Sequence, residues 1–460
     1  MIFSLRFFAT GAYSLNSWRI VNASRAPIFG NRMRNRRATP ENEAPRRIGR
    51  WPVLCECATC RVIPDALMNK PSIALGLVFS QSGPYQMMAG EMLKGGLMAV
   101  DEVNQGDEFD FTFAPHLRDP GGVVAAYHTA CVDLIREARV EHIVGCYTSA
   151  SRKQVLPIVE RTDRLLWHPA RYEGFECSDN VIYVGAAPNH TVIPLAQYML
   201  HHVSGEVFCI GSNYVWTWES NRVMREIVTG AGGHILAERL LELGETAVEH
   251  LTEEIIARKP PVVFNTLVGE SSYHFVRALH EATTRAGVTI PMLSCSLCEP
   301  ELKLIGPEAS VGCVTSSVYF ESIARPENRA FVARWKKRYG ADGNPSVDGQ
   351  STYVCVMLLA RAIRRAGTSD VGNVRRAVAN HRYESPQGPI WIDPDNNHCF
   401  LTPRLARSVP GSQFDIFWEA DAPERPDPYL SRLDLTAIGA KQERSDRAMS
   451  GRRHYLRIAK

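Results

Sequence analysis

The sequence predicts an α/β protein of two lobes, each a parallel sheet flanked by helices, joined by a hinge. Three observations carry this. From Ser72 to Ser296, short apolar runs alternate with segments of helical period, as in βα units that build parallel sheets covered by helices. The alternation is too long for one open sheet, so the chain divides. It breaks at "GAAPNHT" (185–191) and again near 314–326, which marks where the chain passes between lobes.

The elements follow in order. "SIALGLVFS" (72–80) is a buried strand running into the loop "QSGPY", and "GEMLKGGLMAVDEVNQ" places Leu93, Leu97, Val100 and Val103 on one helical face. "FDFTFAPHLRD" reads as a strand. The next helix has Val124, Tyr127, Cys131 and Leu134 at core spacing, and after it come the strand "VEHIVGCY" and a helix from Ala150 to about Thr162. Strands at "NVIYVGA", "EVFCIGS", "HILAERLLEL", "PVVFNTLVG" and "IPMLSCS" then alternate with four helices. Two further helices, "NRAFVARWKKRYG" and "STYVCVMLLARAIRRAG", precede a β-like end, "QGPIWIDPDNNHCF" to "SQFDIFWEAD". The expected first lobe is 70–187 plus 318–385, and the second is 188–317 plus 386–430.

The ends differ from the body. Residues 1–67 hold eleven Arg, no Lys and four acids, a net of +7, so the formal +3 of the whole chain leaves −4 from Met68 onward. This Arg-rich stretch without periodicity reads either as a disordered basic extension or as sequence ahead of a natural start at Met68. Its apolar run is broken by Arg6 and has no basic region before it, unlike a secretory signal. Residues 431–460 read as a basic tail. The mildly acidic body excludes direct nucleic-acid binding, and no apolar run is long enough for a membrane span.

Most cysteines sit singly in apolar patterns, for example Cys131, Cys146, Cys209, Cys313 and Cys355, as buried thiols of a reducing compartment do. "CECATC" and the "CSLC" at Cys295/Cys298 lack a second pair at zinc spacing, so no metal is expected. No cofactor motif is present, and no base pairs with a nucleophile by a recognisable motif, so catalytic residues are not assigned.

Ligands of open parallel sheets bind beyond the carboxyl ends of strands. Four loops stand there: 79–85, carrying Ser80, Ser82 and Tyr85; 146–151, carrying Tyr147 and Ser149; 212–220, carrying Tyr214, Trp216 and Trp218; and 265–272, carrying Thr266, Gly269 and Glu270. Ser149 occupies an expected N-cap, with the N–H groups of Ala150 and Ser151 free behind it. It either offers donors to a ligand oxygen or simply caps its own helix. Arg152 and Lys153 read as surface charges of that helix. The aromatic residues, His168 and Tyr172 among them, suit a small neutral ligand or pack the lobe interface. Glu270 accepts ligand N–H groups or is a solvated loop acid.

"VGCYTSASRKQVLPIVERTDRLLWHPARYEGFE" (144–176), "IGSNYVWTWESNRVM" (210–224), "QGPIWIDPDNNH" (387–398) and "ERPDPY" (424–429) resemble the aliphatic amidase expression regulators. These belong to the type I periplasmic-binding-protein superfamily. "FNTLVGESS" (264–272) is similar to the urea and short-chain amide substrate-binding proteins of ABC transporters. The resemblance covers about 70–430 and implies lobes closing on a small amide or urea, with Tyr147, Ser149 and Tyr214 at ligand-contacting positions. The family's "CYPTPYEGFE" reads "WHPARYEGFE" here, so Tyr becomes His168 and Thr becomes Ala170, and "YIYP" reads "YVWT", which puts Trp216 at a Tyr position. These changes put acetamide-like specificity in question. The resemblance implies a cytoplasmic sensor, not an enzyme, that negatively regulates amidase expression by releasing an antitermination regulator protein when amide binds. The alternative is a periplasmic solute-binding component that works with an ABC permease. In either case the ligand would bridge Ser149 on one lobe with Tyr214 and the Thr266–Gly269 loop on the other.

Overall fold

The computed structural model describes residues 70–431. The expectations for 1–67, for the tail beyond 431 and for "CECATC" lie outside the described residues. The chain runs β1 (Ser72–Val78), α1 (Gln86–Gln105), β2 (Thr112–Arg118), α2 (Val124–Glu137), β3 (His142–Gly145), α3 (Ser149–Arg161), β4 (Leu165–His168) and β5 (Val181–Tyr183). These strands form one parallel five-stranded sheet ordered β2-β1-β3-β4-β5. Beyond it come α4 (Val192–His202), β6 (Glu206–Ser212), α5 (Val215–Gly230), β7 (His234–Leu241), α6 (Glu249–Arg258), β8 (Val263–Thr266), α7 (Glu270–Ala286), β9 (Met292–Ser294), α8 (Glu299–Ile305) and β10 (Val314–Ser317).

The chain then returns to the first lobe with α9 (Pro326–Tyr339), α10 (Val347–Ala366) and α11 (Val371–Val378). A small antiparallel sheet follows, β11 (Tyr383–Ser385), β12 (Gly388–Ile392) and β13 (Cys399–Phe400). Finally β14 (Arg404–Val409) and β15 (Gln413–Glu419) complete the second sheet, ordered β15-β14-β10-β9-β8-β6-β7, with β14 and β15 antiparallel and the rest parallel. This is the two-lobed type I periplasmic-binding-protein architecture.

Helix α10 shows why the chain returns. It is apolar nearly all round, and Tyr353 to Ala360 are all buried, which suits only the interior of a lobe. It crosses α1 where Gly95 meets Gly349. A Cβ on Gly95 would lie 1.9 Å from the Gly349 carbonyl, so only glycine permits this approach.

Two expectations change. β4 was not foreseen, because "LLWH" is four residues long, ends against Pro169 and has no alternation to mark it. The return to the second lobe was expected at 386. Instead Ile390, Ile392, Cys399 and Leu401 are buried in the same core as Leu75 and Val354, so the crossing falls between Leu401 and Arg404. Cys131, Cys146, Cys209, Cys313 and Cys355 are free and buried.

Candidate functional site

The candidate loops leave the carboxyl ends of β1, β3, β6 and β8, where ligands of open parallel sheets bind. The lobes meet. Gly269, at φ +60° before α7, lies under the Pro84 carbonyl of the first lobe, where a Cβ would come within 2.7 Å of that oxygen. Cys298 of the second lobe approaches Met88 of α1, sulfur to sulfur at 3.9 Å.

The mouth of α3 corrects two expectations. Thr148, not Ser149, is the N-cap: it is extended at φ −86°, ψ 151°, and its side chain accepts from the Ser151 N–H at 3.2 Å. Ser149 is therefore the first helical residue, and its hydroxyl donates to Glu173. Nor is Arg152 a surface charge. It is fully buried, donating from Nη2 to Glu173 at 2.7 Å and from Nε to Glu176 at 2.7 Å, with its guanidinium over the rings of Tyr172 and Tyr183. Lys153 is the outer member, with Nζ 2.8 Å from Glu176. A helix N-terminus disfavours cations, and the two carboxylates outweigh it. Burial raises the Glu176 carboxyl, but Arg152 overrides this and holds it down at about 2.

Tyr147 and Tyr214 approach the cleft from opposite lobes. Tyr147 packs on Tyr85, with centroids 5.6 Å apart, and Tyr214 stacks on Trp216 at 6.2 Å. Neither hydroxyl makes a hydrogen bond to another described residue. Burial pushes both phenols up, and the positive charge of Arg171 pulls both back. Arg171 itself reaches from the first lobe to the second. Nη2 donates to Asp348 at 2.9 Å and Nη1 to the Ser296 carbonyl at 3.1 Å, while the guanidinium lies 6.0 Å from the Trp216 ring.

The other candidates are less available. His168 ends β4 and is fully buried, its Nδ1 on the Gly145 carbonyl at 3.3 Å and its Nε2 facing Arg152 at 3.4 Å. Burial first and Arg152 second push its imidazole down to about 3. Ala170 is core. Thr266 is buried, with its hydroxyl spent on the Ile210 carbonyl and Asn221. Ser80 bonds Tyr127 and the Gly122 N–H, and Tyr85 donates to the Gly122 carbonyl. Ser82 and Glu270 are exposed. The structure thus places Tyr147, Ser149, Tyr214, Trp216 and Gly269 at strand ends and helix mouths of the two lobes, and it spends the hydroxyls of Ser80, Ser149 and Thr266 within the fold.

Sequence reasoning missed Arg171, Glu173 and Asp348. A small cavity, with room for about one water, is lined in part by Arg171, Thr191, Cys295, Asp348 and Ser351. No predicted site residue lines it, and the buried Ser351 hydroxyl has no hydrogen-bond partner. One signal existed, since Arg171 stands where the family pattern has Pro. Asp348 carried none, because only the return of α10 brings it here.

The family model described as "Periplasmic binding protein domain" matches residues 73–434. The chain belongs to this family. Leu/Ile/Val-binding protein homolog 6 of Brucella abortus (strain 2308) is 23% identical over 332 residues, 71% of this chain and 85% of that protein. A limonene hydroxylase of Geobacillus stearothermophilus is 30% identical over 138 residues, 30% of this chain, and the match spans only 25% of its own length. Among solved structures, a solute binding protein of an ABC transporter from Rhodopseudomonas palustris HaA2, in complex with p-hydroxybenzoic acid, superposes with a TM-score of 0.70. It shows 20% identity, covering 79% of this chain and 100% of that one. A leucine binding protein from Thermotoga maritima gives 0.66 at 16% identity, covering 75% and 98%. At these identities the likeness is one of fold.

Proposed function

We propose that this periplasmic binding protein family member is a solute-binding component of the ABC-transporter type, whose lobes close over a small carbonyl-bearing solute, a small amide or urea in the narrower reading. One observation carries it: the unpartnered hydroxyls of Tyr147 and Tyr214, one from each lobe, beside the lobe-bridging Arg171. A solute that takes donors from both lobes binds the closed state more tightly than the open one, and only that difference shifts the population. The name of the Rhodopseudomonas structure, a solute binding protein of an ABC transporter, supports a transport role, and the family's description supports a periplasmic location. A cytoplasmic sensor that releases an antitermination partner is the second reading. It is favoured by the free cysteines, of which eight among the described residues are buried and none is paired.

The test is calorimetry and small-angle scattering on the full chain with acetamide, butyramide, urea, formamide, leucine and benzoate. We expect heat and a smaller radius of gyration with at least one. Absence of both with all six refutes solute-driven closure. Recovery of the chain from the periplasm or the cytosol separates the two readings.

A further inference from the structure

We propose that closure of the lobes takes up a proton at Glu301, so that the protein grips its solute more tightly in mild acid than at neutral pH. This rests on the reading that the lobes close over a small solute, and it makes the proton a second ligand of the closed state.

Glu301 is the third residue of α8, in the second lobe, and is 2% exposed. Its own lobe supplies its hydrogen bonds. Oε2 accepts from the Cys298 N–H at 3.1 Å and from the Cys298 thiol at 3.4 Å, and Oε1 accepts from the Tyr273 hydroxyl of α7 at 3.2 Å. Among the described residues no cation bonds it, unlike Glu173 and Glu176 around Arg152. The first lobe covers this group. The Cys298 sulfur lies 3.9 Å from that of Met88 on α1, and Arg171 reaches the nearby Ser296 carbonyl at 3.1 Å.

Charged and titratable groups face Glu301 from both lobes: Tyr147, Arg171 and Asp348 from the first, and Tyr273, Cys298 and Glu299 from the second. Glu91 of α1 turns instead to Lys94 at 2.6 Å. Arg171 is paired with Asp348 at 2.9 Å, so its charge is partly balanced before it acts on Glu301. Burial comes first and raises the carboxyl to about 7, against the pull of Arg171 and of the bonds from Cys298 and Tyr273, and Asp348 adds to the rise. When the lobes part, Met88 and Arg171 leave, water reaches the carboxylate and it returns towards the usual 4.5. Between pH 4.5 and 7 the closed state then holds a proton that the open state has released. Falling pH favours closure across that window, and below it both states are protonated.

Glu299 provides the control. Its carboxyl is also buried and raised, to about 8, but it accepts from the Glu321 N–H at 2.7 Å and faces Tyr319 and Glu321, in the segment that runs on from β10 of its own lobe. The test is calorimetry of the full chain with acetamide, urea, leucine and benzoate, whose net charges stay constant between about pH 8 and pH 5. Each titration uses two buffers of different ionisation enthalpy, and small-angle scattering follows the unliganded chain over the same range. We expect affinity to rise about tenfold from pH 8 to pH 6, with uptake of about one proton at pH 6, and the unliganded chain to become more compact in acid. Glu301→Gln keeps an acceptor for the Cys298 N–H and the capping box of α8 with no charge to bury. It should bind at pH 8 as the wild type does in acid, take up no proton and stay compact throughout. Glu299→Gln should keep the wild-type slope.

A wild-type affinity that does not change with pH overturns the proposal, as does a folded Glu301→Gln that keeps the slope, or a Glu299→Gln that abolishes it. If Glu301→Gln fails to fold, the wild-type proton count and Glu299→Gln still decide, and a count of zero overturns the proposal. Binding by none of the four solutes overturns the solute-closure reading itself. The scattering series then decides the proton switch alone, and a radius of gyration that does not shrink in acid overturns it.

Discussion

Replacing Arg152 with Met keeps much of the side-chain volume and removes the cation from beneath Ser149. Glu173 and Glu176 would then share only Lys153, whose Nζ lies 2.8 Å from Glu176 and 3.5 Å from Glu173 on a side chain 42% exposed. Removing one partner of a buried pair costs about 3–5 kcal/mol, and Lys153 offsets part of that. The Glu176 carboxyl gives a second route to the magnitude. Burial raises it, yet Arg152 holds it at about 2 against the usual 4.5, which corresponds to about 3 kcal/mol of native stability at neutral pH.

Because this carboxyl is depressed in the folded state, its contribution is complete above 4.5 and is lost as pH falls through 2. Without Arg152, burial drives the carboxyl up and that acid-side loss disappears. Urea unfolding near neutrality and in steps down to about pH 3 measures both effects. We expect Arg152→Met to lose about 3 kcal/mol near neutral pH and to show a flatter acid limb than the wild type. A loss below about 1 kcal/mol with parallel acid limbs would place Arg152 among ordinary surface charges and refute the buried network.

Gly269→Ala should weaken closure, because its Cβ would meet the Pro84 carbonyl of the other lobe at 2.7 Å; its φ +60°, ψ −142° backbone also costs a non-glycine residue about 1–3 kcal/mol. The expected outcome is roughly a tenfold loss of solute affinity with a larger radius of gyration in saturating solute, and unchanged scattering would argue against contact between these loops. Tyr147→Phe and Tyr214→Phe should each reduce affinity by about 1 kcal/mol with no change in melting temperature, since neither hydroxyl has a partner within the fold. A lower melting temperature would instead mean that the hydroxyl pairs inside the protein.

Much of the fold was legible because period and apolar content are local properties. The βα alternation from Ser72 to Ser296 corresponds to β1 through β9 with their helices, apart from β4. β4 escaped because a four-residue buried strand has no period of its own. The interior place of β12 and β13 escaped because Ile390, Ile392 and Cys399 are apolar whichever lobe they join.

The candidate site divides in the same way. The positions of Tyr147, Tyr214 and Gly269 beside helix starts were legible because strand ends and helix mouths are set by nearby sequence, whereas Ser149 was placed one residue too early, as the cap that Thr148 provides. Arg152 was misread because a cation in a helix's first turn normally faces water, and only Glu173 and Glu176, brought back by the turn after β4, make its burial tolerable. Arg171 acquires its role from Asp348, 177 positions away, and from Ser296 on the other lobe.

By itself the sequence determined most strands and helices, β4 excepted, and the loops that leave the strand ends, because apolar period acts over a few residues. The tertiary structure decided where the protons and charges of the cleft go. A hydroxyl or guanidinium has no fixed role until the fold supplies its partner, and here every deciding partner comes from another element or from the other lobe.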